Sequence, residues 1–417
     1  KNVKAAVCTA CGAEYEAGDD TYTCPKCGGV FEIVYDYDYI RSRTSREKLS
    51  SCGDFSMWRY REFLPIEEGS PPGPLRAGWS PLYRASRLGG EMGLERLYIK
   101  DDGLNPTSSL KDRASAIAVC RAARSGKTTV ACSSTGNAAS SLAGAAASMG
   151  LSSFIFVPER APAGKVTQLL IFGACVVSVR GSYEDTFRLS AEAIEKYGWY
   201  NRNAAVNPYL SEGKKTVSLE IAEQLDFEVP DFVALSVGDG CTIAGVWKGF
   251  RDLYAAGLTA KLPRLLSVQA EGCCPVNRAV ETGRPIERME ENTLADSIAV
   301  GVPRNGGKAV AAIRESNGIA VNVSDEEILS AMRLLGRSAG VFGEPAGAAG
   351  TAGLLKAAAR GLIPRDALVV SIVTGNGLKD TASARRAAEF SPAGGALINI
   401  PPDMKMLEEE LGKRAVL

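Results

Sequence analysis

Between Asp101 and Ala116 the chain reads DDGLNPTSSLKDRASA. The stretch sets a lysine, Lys111, between an Asn-Pro-Thr-Ser turn and the start of a helix-forming segment. Lysine is ordinarily a solvated surface charge. Desolvated at a turn-to-helix junction, its amine has a lowered pKa and serves as a nucleophile or base.

Outward from this lysine, short β-branched runs alternate with Ala-rich stretches of helix formers. The runs are RLYIK, TTVACSS, SSFIFVP, ACVVSV, DFVALSV, RLLSVQA and ALVVSIV, each followed by a turn and helix-forming sequence. The alternation predicts an α/β fold of mainly parallel strands covered by helices on both faces. Ligands of such sheets bind beyond the carboxyl ends of the strands, so the loops after these runs are the places to look.

Three of them carry chemistry. ACSSTGNAASSLAGAAASMG, Ala131–Gly150, is a strand end, a polar turn and an Ala-rich helix. The turn exposes backbone N–H groups at a helix N-terminus, a seat for a carboxylate or phosphate. Asn137 can donate to a ring hydroxyl or an oxyanion, or simply cap the helix. SVGDGCTIAGVWKGF, Ser236–Phe250, repeats the design, with glycines that let backbone approach a phosphate closely. The bland alternative there is a tight turn. In SIVTGNGLKD, Ser371–Asp380, Thr374 follows the last strand residue, where a hydroxyl can face a ring nitrogen.

The bulk numbers narrow the chemistry. A chain of 417 residues suits two or three lobes, and 45% hydrophobic with 23% charged residues is a globular composition. Lys+Arg and Asp+Glu both count 48, which argues against a chain built mainly to hold nucleic acid or an anionic membrane. No apolar run is long enough to span a bilayer, and the first residues do not read as a signal peptide, so a cytoplasmic protein is expected. There is no histidine. That excludes a Ser-His-Asp triad, a Cys-His dyad, a His-ligated metal and imidazole acid/base chemistry.

Four of the eleven cysteines stand in two Cys-x-x-Cys pairs, CTAC (Cys8, Cys11) and CPKC (Cys24, Cys27), each followed by glycine. Four thiolates on two such knuckles can close a tetrahedral zinc site of structural type. Two disulfides are the alternative, and nothing points to secretion. The other seven cysteines read as small buried hydrophobes. Residues 1 to about 35 form this ribbon. The segment to about 80 is polar and Pro/Gly-rich, and EEGSPPGPLRAG within it reads as an extended linker. No internal repeat is present, and PPDMKMLEEELGKRAVL reads as a terminal helix.

Taken in order, NPTSSLKDRASA, SSTGNAAS, NPYLSEGKKT, VGDGCT, FGEPAGAA and TGNGLKD resemble the fold-type II enzymes dependent on pyridoxal 5′-phosphate, and among them the threonine synthase family. The resemblance covers nearly the whole chain, including the zinc-ribbon-like start. It implies a tryptophan synthase β-like fold: two open twisted sheets with helices on both faces, plus a small four-cysteine zinc ribbon. It implies a ribbon at 1–35, a large cofactor domain at 36–114 and 206–417, a small domain at 115–205, and a homodimer. Lys111 is then the Schiff-base lysine and Asn137 the partner of the cofactor's 3′-oxygen. Gly238, Asp239, Gly240, Cys241 and Thr242 wrap the cofactor phosphate, and Thr374 faces the pyridine nitrogen. The turn from Ser134 and Thr135 to Asn137 holds the α-carboxylate of an amino-acid substrate.

The chain departs from the family where the phosphate of O-phosphohomoserine is held. Threonine synthases commonly read Asn-Ser-x-Asn-Pro-x-Arg there, and this chain has Ala204, Ala205 and Leu210 at the Asn, Ser and Arg places. Asp239 stands where Asn is common, Ala138 for a frequent Thr, and Leu110 for a frequent Phe. Losing charge-assisted bonds to a buried phosphate is costly unless others replace them, and Arg202, Lys214 and Lys215 are the nearby candidates. The expected reaction is conversion of O-phosphohomoserine and water to threonine and phosphate. Two other readings stand beside it: a threonine or serine ammonia-lyase or related replacement enzyme, and a cofactor-binding regulatory protein without turnover.

Overall fold

The computed structural model describes residues 1–18, 21–70, 72–159, 161, 163–204, 206–389 and 397–413. Three sheets organise them. The first is antiparallel, with β1 (Val3–Cys8) between β2 (Glu14–Tyr15) and β3 (Phe31–Tyr35). This is the cysteine ribbon.

The largest sheet begins with β4 (Leu82–Arg84) and β5 (Arg96–Asp101), which pair antiparallel at one edge. The chain then leaves to build a four-stranded parallel sheet from β6 (Thr129–Ser133), β7 (Ser152–Pro158), β8 (Cys175–Val179) and β9 (Tyr200–Asn201), in the order β8-β7-β6-β9. It returns with β10 (Phe232–Ser236), β11 (Arg264–Ala270), β12 (Ile319–Val323) and β13 (Leu368–Val373). The completed order is β12-β11-β10-β13-β5-β4, parallel apart from β4. Every residue of β10 and β13 is buried. Both strands are covered on both faces, which is why VALS and LVVSIV read as unbroken apolar runs instead of alternating.

Six helices position the site: α1 (Lys111–Arg124), α2 (Asn137–Ser148), α3 (Tyr209–Lys214), α4 (Cys241–Ala255), α5 (Gly306–Glu315) and α6 (Pro345–Ala359). In α6, Gly350 and Gly353 face Leu235 and Val268 so closely that a Cβ would collide. The helix therefore lies hard on β10 and β11, and its first residues sit at the carboxyl edge of the sheet.

All seven runs read from sequence are strands. The segment after the ribbon is more folded than a linker: it forms helices at Tyr37–Arg43 and Arg46–Ser50 and a 3-10 turn at Met57–Phe63 that buries Met57, Trp58, Tyr60 and Phe63. In the Pro/Gly-rich stretch beyond it, Ala77 is buried and the Gly78 N–H donates to Asn105 at 2.8 Å. The terminal helix runs Met404–Lys413, with 414–417 outside the described residues. Among the described residues no helix is long and apolar enough to cross a membrane.

Candidate active site

β10, β13 and β5 are neighbours in one parallel sheet, so the loops after them emerge side by side. The Leu110 N–H donates to the Thr374 carbonyl at 2.8 Å, and Ser109 bridges Gly375. Gly343 bridges Asn376, and the Glu344 N–H donates to the Gly375 carbonyl at 3.0 Å. The loops after β6 and β9 face them from the smaller sheet. Contacts cross the gap: Asn137 Nδ2 donates to Glu344 Oε1 at 2.5 Å, and Cys241 Sγ to the Ala204 carbonyl at 3.3 Å.

Lys111 opens α1 at the centre of this mouth and is only partly exposed. The turn before it is held by Asp112, which accepts from the Thr107 N–H at 2.8 Å and its hydroxyl at 2.6 Å. Burial pushes the Lys111 amine down to about 7, Lys214 and Arg202 push the same way, and Cys241 and Glu344 oppose them. Behind the lysine, Arg113 is fully buried. Its guanidinium donates to Asp102 at 2.7 and 2.8 Å and to Glu220 Oε2 at 2.7 Å, and Lys100 Nζ reaches the same Glu220 oxygen at 2.7 Å. Two cations against two carboxylates make a neutral, closed cluster that fixes the first turn of α1.

Asn137 does not cap its helix. Gly136 takes the cap position, and the Asn137 amide goes to Glu344 instead. A carboxylate can only accept, so the Nδ2 side faces Glu344, and its second hydrogen is left for a ligand. Ser134 and Thr135 stand partly exposed just before it. Burial raises the Glu344 pKa.

Gly240 adopts φ +91°, and a Cβ there would lie 2.6 Å from the Asn305 carbonyl oxygen. A Cβ on Gly238 would lie 2.9 Å from Ile298 Cα. The loop is therefore a cradle only glycines allow, and the first N–H groups of α4 at Cys241 and Thr242 point out of it without intrahelical partners. Asp239 is tied to the segment just before α5, accepting from the Arg304 N–H at 2.7 Å. Asn305 Nδ2 donates to Cys241 Sγ at 2.7 Å.

Of the three cations expected to replace a lost phosphate grip, two are here and one is not. Arg202 is buried, with Nε on Ser115 Oγ at 3.1 Å and no carboxylate partner among the described residues. Lys214 is buried and unpaired among them too. Burial is the first cause lowering both pKa values, and Lys111, Arg202 and Lys214 all feel Cys241 of the cradle. Lys215, one residue on, does not join them. It is salt-bridged to Glu212 at 2.7 Å and to Asp252 at 2.6 Å, away from the cradle, because adjacent residues point about 100° apart around a helix. Leu210 is buried in the apolar core between α1 and α2, and position 205 lies outside the described residues.

Three site residues escape a reading of the sequence. Glu344 is visible there only as the one acid in the Ala/Gly-rich FGEPAGAA. Asn203, whose Oδ1 accepts from the Ser133 N–H at 2.9 Å while its buried Nδ2 has no partner among the described residues, and Asn305 carry no local pattern. Away from this mouth, the sulfur atoms of Cys8, Cys11, Cys24 and Cys27 lie within 4.8 Å of one another.

An amine of lowered pKa, a glycine cradle at a helix N-terminus and a fixed amide donor fit pyridoxal phosphate. The profile of the pyridoxal-phosphate dependent enzyme family matches residues 74–375, which hold both larger sheets. Threonine synthase of Methanosarcina acetivorans is 43% identical over 377 residues, covering 89% of this chain and 91% of that protein. That of Methanocaldococcus jannaschii is 39% identical over 407 residues, covering 97% and 98%. The chain belongs to the threonine synthase family of pyridoxal-phosphate-dependent enzymes. In fold it is similar to the processed form of threonine deaminase isoform 2 from Solanum lycopersicum (TM-score 0.64, 22% identity, 74% of this chain and 87% of that one). It is also similar in fold to diaminopropionate ammonia lyase of Escherichia coli (TM-score 0.65, 20% identity, 82% and 92%).

Proposed function

We propose that the protein converts O-phosphohomoserine and water to threonine and phosphate. The observation that carries this reading is the pair of buried cations without carboxylate partners among the described residues, Arg202 and Lys214, beside the partly exposed Lys111. Unpaired buried charge is costly unless an anion joins it. Lys111 is engaged by the cofactor, and two further cations are provision for a substrate dianion. The position where the family commonly has Arg is Leu210, and Lys214 lies four residues on, one turn along the same face of α3.

When bound, pyridoxal phosphate supplies the electron sink for chemistry at the substrate's α-carbon. Lys111 holds the cofactor. Gly238 to Thr242 would take its phosphate, Asn137 its 3′-oxygen and Thr374 its ring nitrogen. The Ser134–Asn137 turn holds the substrate carboxylate. Lys111, poised near neutral pH, removes the α-proton and helps move a β-proton. Arg202 and Lys214 hold the phosphate as it leaves the γ-carbon. The β-proton is delivered to the γ-carbon, which becomes the methyl group; water then adds at the β-carbon, and a proton returned to the α-carbon gives threonine. No histidine is needed.

On this reading Cys8, Cys11, Cys24 and Cys27 bind one structural zinc. Their Sγ separations of 3.5 Å (Cys8 to Cys27) and 3.7 Å (Cys11 to Cys24) suit thiolates on one tetrahedral ion. The active unit is a cytoplasmic homodimer, with a ribbon at 1–35, a large domain at 36–114 and 206–417, and a small domain at 115–205. The test offers purified enzyme O-phosphohomoserine, threonine, serine and O-phosphoserine in parallel. Threonine and phosphate from the first are expected. Keto acid and ammonia from threonine or serine, with no threonine from phosphohomoserine, would overturn the reading.

A further inference from the structure

The ribbon reaches the site from behind. Strand β3 ends in Tyr35, whose buried hydroxyl donates to Glu212 Oε2 of α3 at 2.8 Å. Two residues on, the Tyr37 hydroxyl donates to Asp252 Oδ1 of α4 at 2.6 Å. Lys215 Nζ bridges both carboxylates, at 2.7 and 2.6 Å, and lies 3.8 Å from the centre of the Tyr35 ring. Lys248 completes the group, 3.3 Å from Asp252. Two lysines face two carboxylates, so the cluster is neutral and complete without Lys214. More of the ribbon holds the same elements: the Tyr209 hydroxyl of α3 donates to the Gly18 carbonyl at 2.7 Å, and Lys308 of α5 donates to the Phe31 carbonyl.

Glu212 and Lys215 are three apart and share the back of α3, while Leu210 and Lys214, four apart, share another face. Pinning the back fixes the rotation of this short helix, and its rotation sets where Lys214 points. We propose that Tyr35 is a positioning residue for the substrate-phosphate site, acting through Glu212 on the helix that carries Lys214. The proposal rests on the reading that Lys214 holds a substrate phosphate. Removing the hydroxyl leaves a buried carboxylate oxygen with Lys215 alone. The ion pair re-settles toward Asp252, and the end of α3 turns with it. α4 is held separately by Tyr37, so the cofactor cradle stays in place.

Holoenzymes of the wild type, Tyr35→Phe, Lys214→Ala and the double variant decide it. Inorganic phosphate binding is measured by calorimetry, and steady-state rates with O-phosphohomoserine. Tyr35→Phe is expected to weaken phosphate binding about tenfold, the worth of a hydrogen bond to a charged group. KM rises to match, while kcat and the cofactor's absorption are unchanged. In the Lys214→Ala background the same change has no further effect, because the two residues act as one path. Glu212→Gln gives the same pattern and decides the matter if Tyr35→Phe does not fold. Phosphate binding untouched by Tyr35→Phe, equally weakened in both backgrounds, or absent from the wild type overturns the proposal. A wild type that binds phosphate with the expected pattern but makes no threonine overturns the reaction instead.

Discussion

Replacing Lys111 with methionine should make the cofactor-free protein more stable, by a margin that shrinks as pH rises. Methionine matches the lysine stem in length and flexibility, so the change removes mainly the charge. Burial brings the amine down from 10.5 to about 7. At ~1.4 kcal/mol per pH unit, that gap is worth ~5 kcal/mol in a dry site. Lys111 is partly exposed, and water reaching the amine reduces the realised gain to ~2 kcal/mol. The sign follows from proton counts. Below about 7 the lysine is charged in folded and unfolded chains alike, and the full penalty is present. Between about 7 and 10.5 the unfolded chain keeps a proton the folded one has lost, so wild-type stability climbs with pH. The advantage of Lys111→Met is therefore greatest in mild acid and fades toward 10.5. Denaturant midpoints of both proteins, stripped of cofactor with hydroxylamine and measured across this range, check it. A difference that does not vary with pH, or a variant less stable in mild acid, would refute the reasoning.

Gly240→Ala forces a side chain onto a φ of +91° and against the Asn305 carbonyl. With a backbone cost of ~1–2 kcal/mol alone, cofactor titration followed by absorbance should show affinity at least ~10-fold weaker, and unchanged affinity would count against the cradle. Arg113→Met strands Asp102 and Glu220 in the interior, so unfolding measurements should show a loss of ~3–5 kcal/mol; a loss under ~1 kcal/mol would mean that water or Lys100 replaces the guanidinium. Cys24→Ser should abolish the binding of about one zinc per chain while leaving the cofactor spectrum intact, and metal-free protein with two intact disulfides would sink the zinc reading.

The sheet is legible in the sequence wherever burial on both faces writes an unbroken apolar run, as in β10 and β13. Ile319–Val323 does not stand out, because it is an edge strand, half-buried, with Asn322 breaking the run. Lys111 and the glycine cradle are legible because local geometry dictates them: a turn before a helix, and positions where a Cβ collides. What local sequence cannot supply is direction. Arg202, Lys214 and Lys215 look equivalent on paper, and only the Glu212 and Asp252 carboxylates separate Lys215 from the other two. Glu344 and Asn137 are far apart in the chain and meet only because α6 is pressed onto the sheet by its glycines.

The place of β13 bears on how the protein is made. The small sheet is contiguous in sequence, from Thr129 to Asn201, and can form while the ribosome is still reading the remainder. The large sheet cannot, because β13 lies between β5 and β10, and β5 has no other parallel neighbour. The edges of β5 and β10 that face β13 must wait, unpaired, until translation passes Val373. The loop after β13 also anchors Leu110 beside the lysine. Cofactor capture is thus deferred until β13 has been made, and a nascent chain stalled before that strand presents an open sheet edge to chaperones and proteases rather than a partly working enzyme.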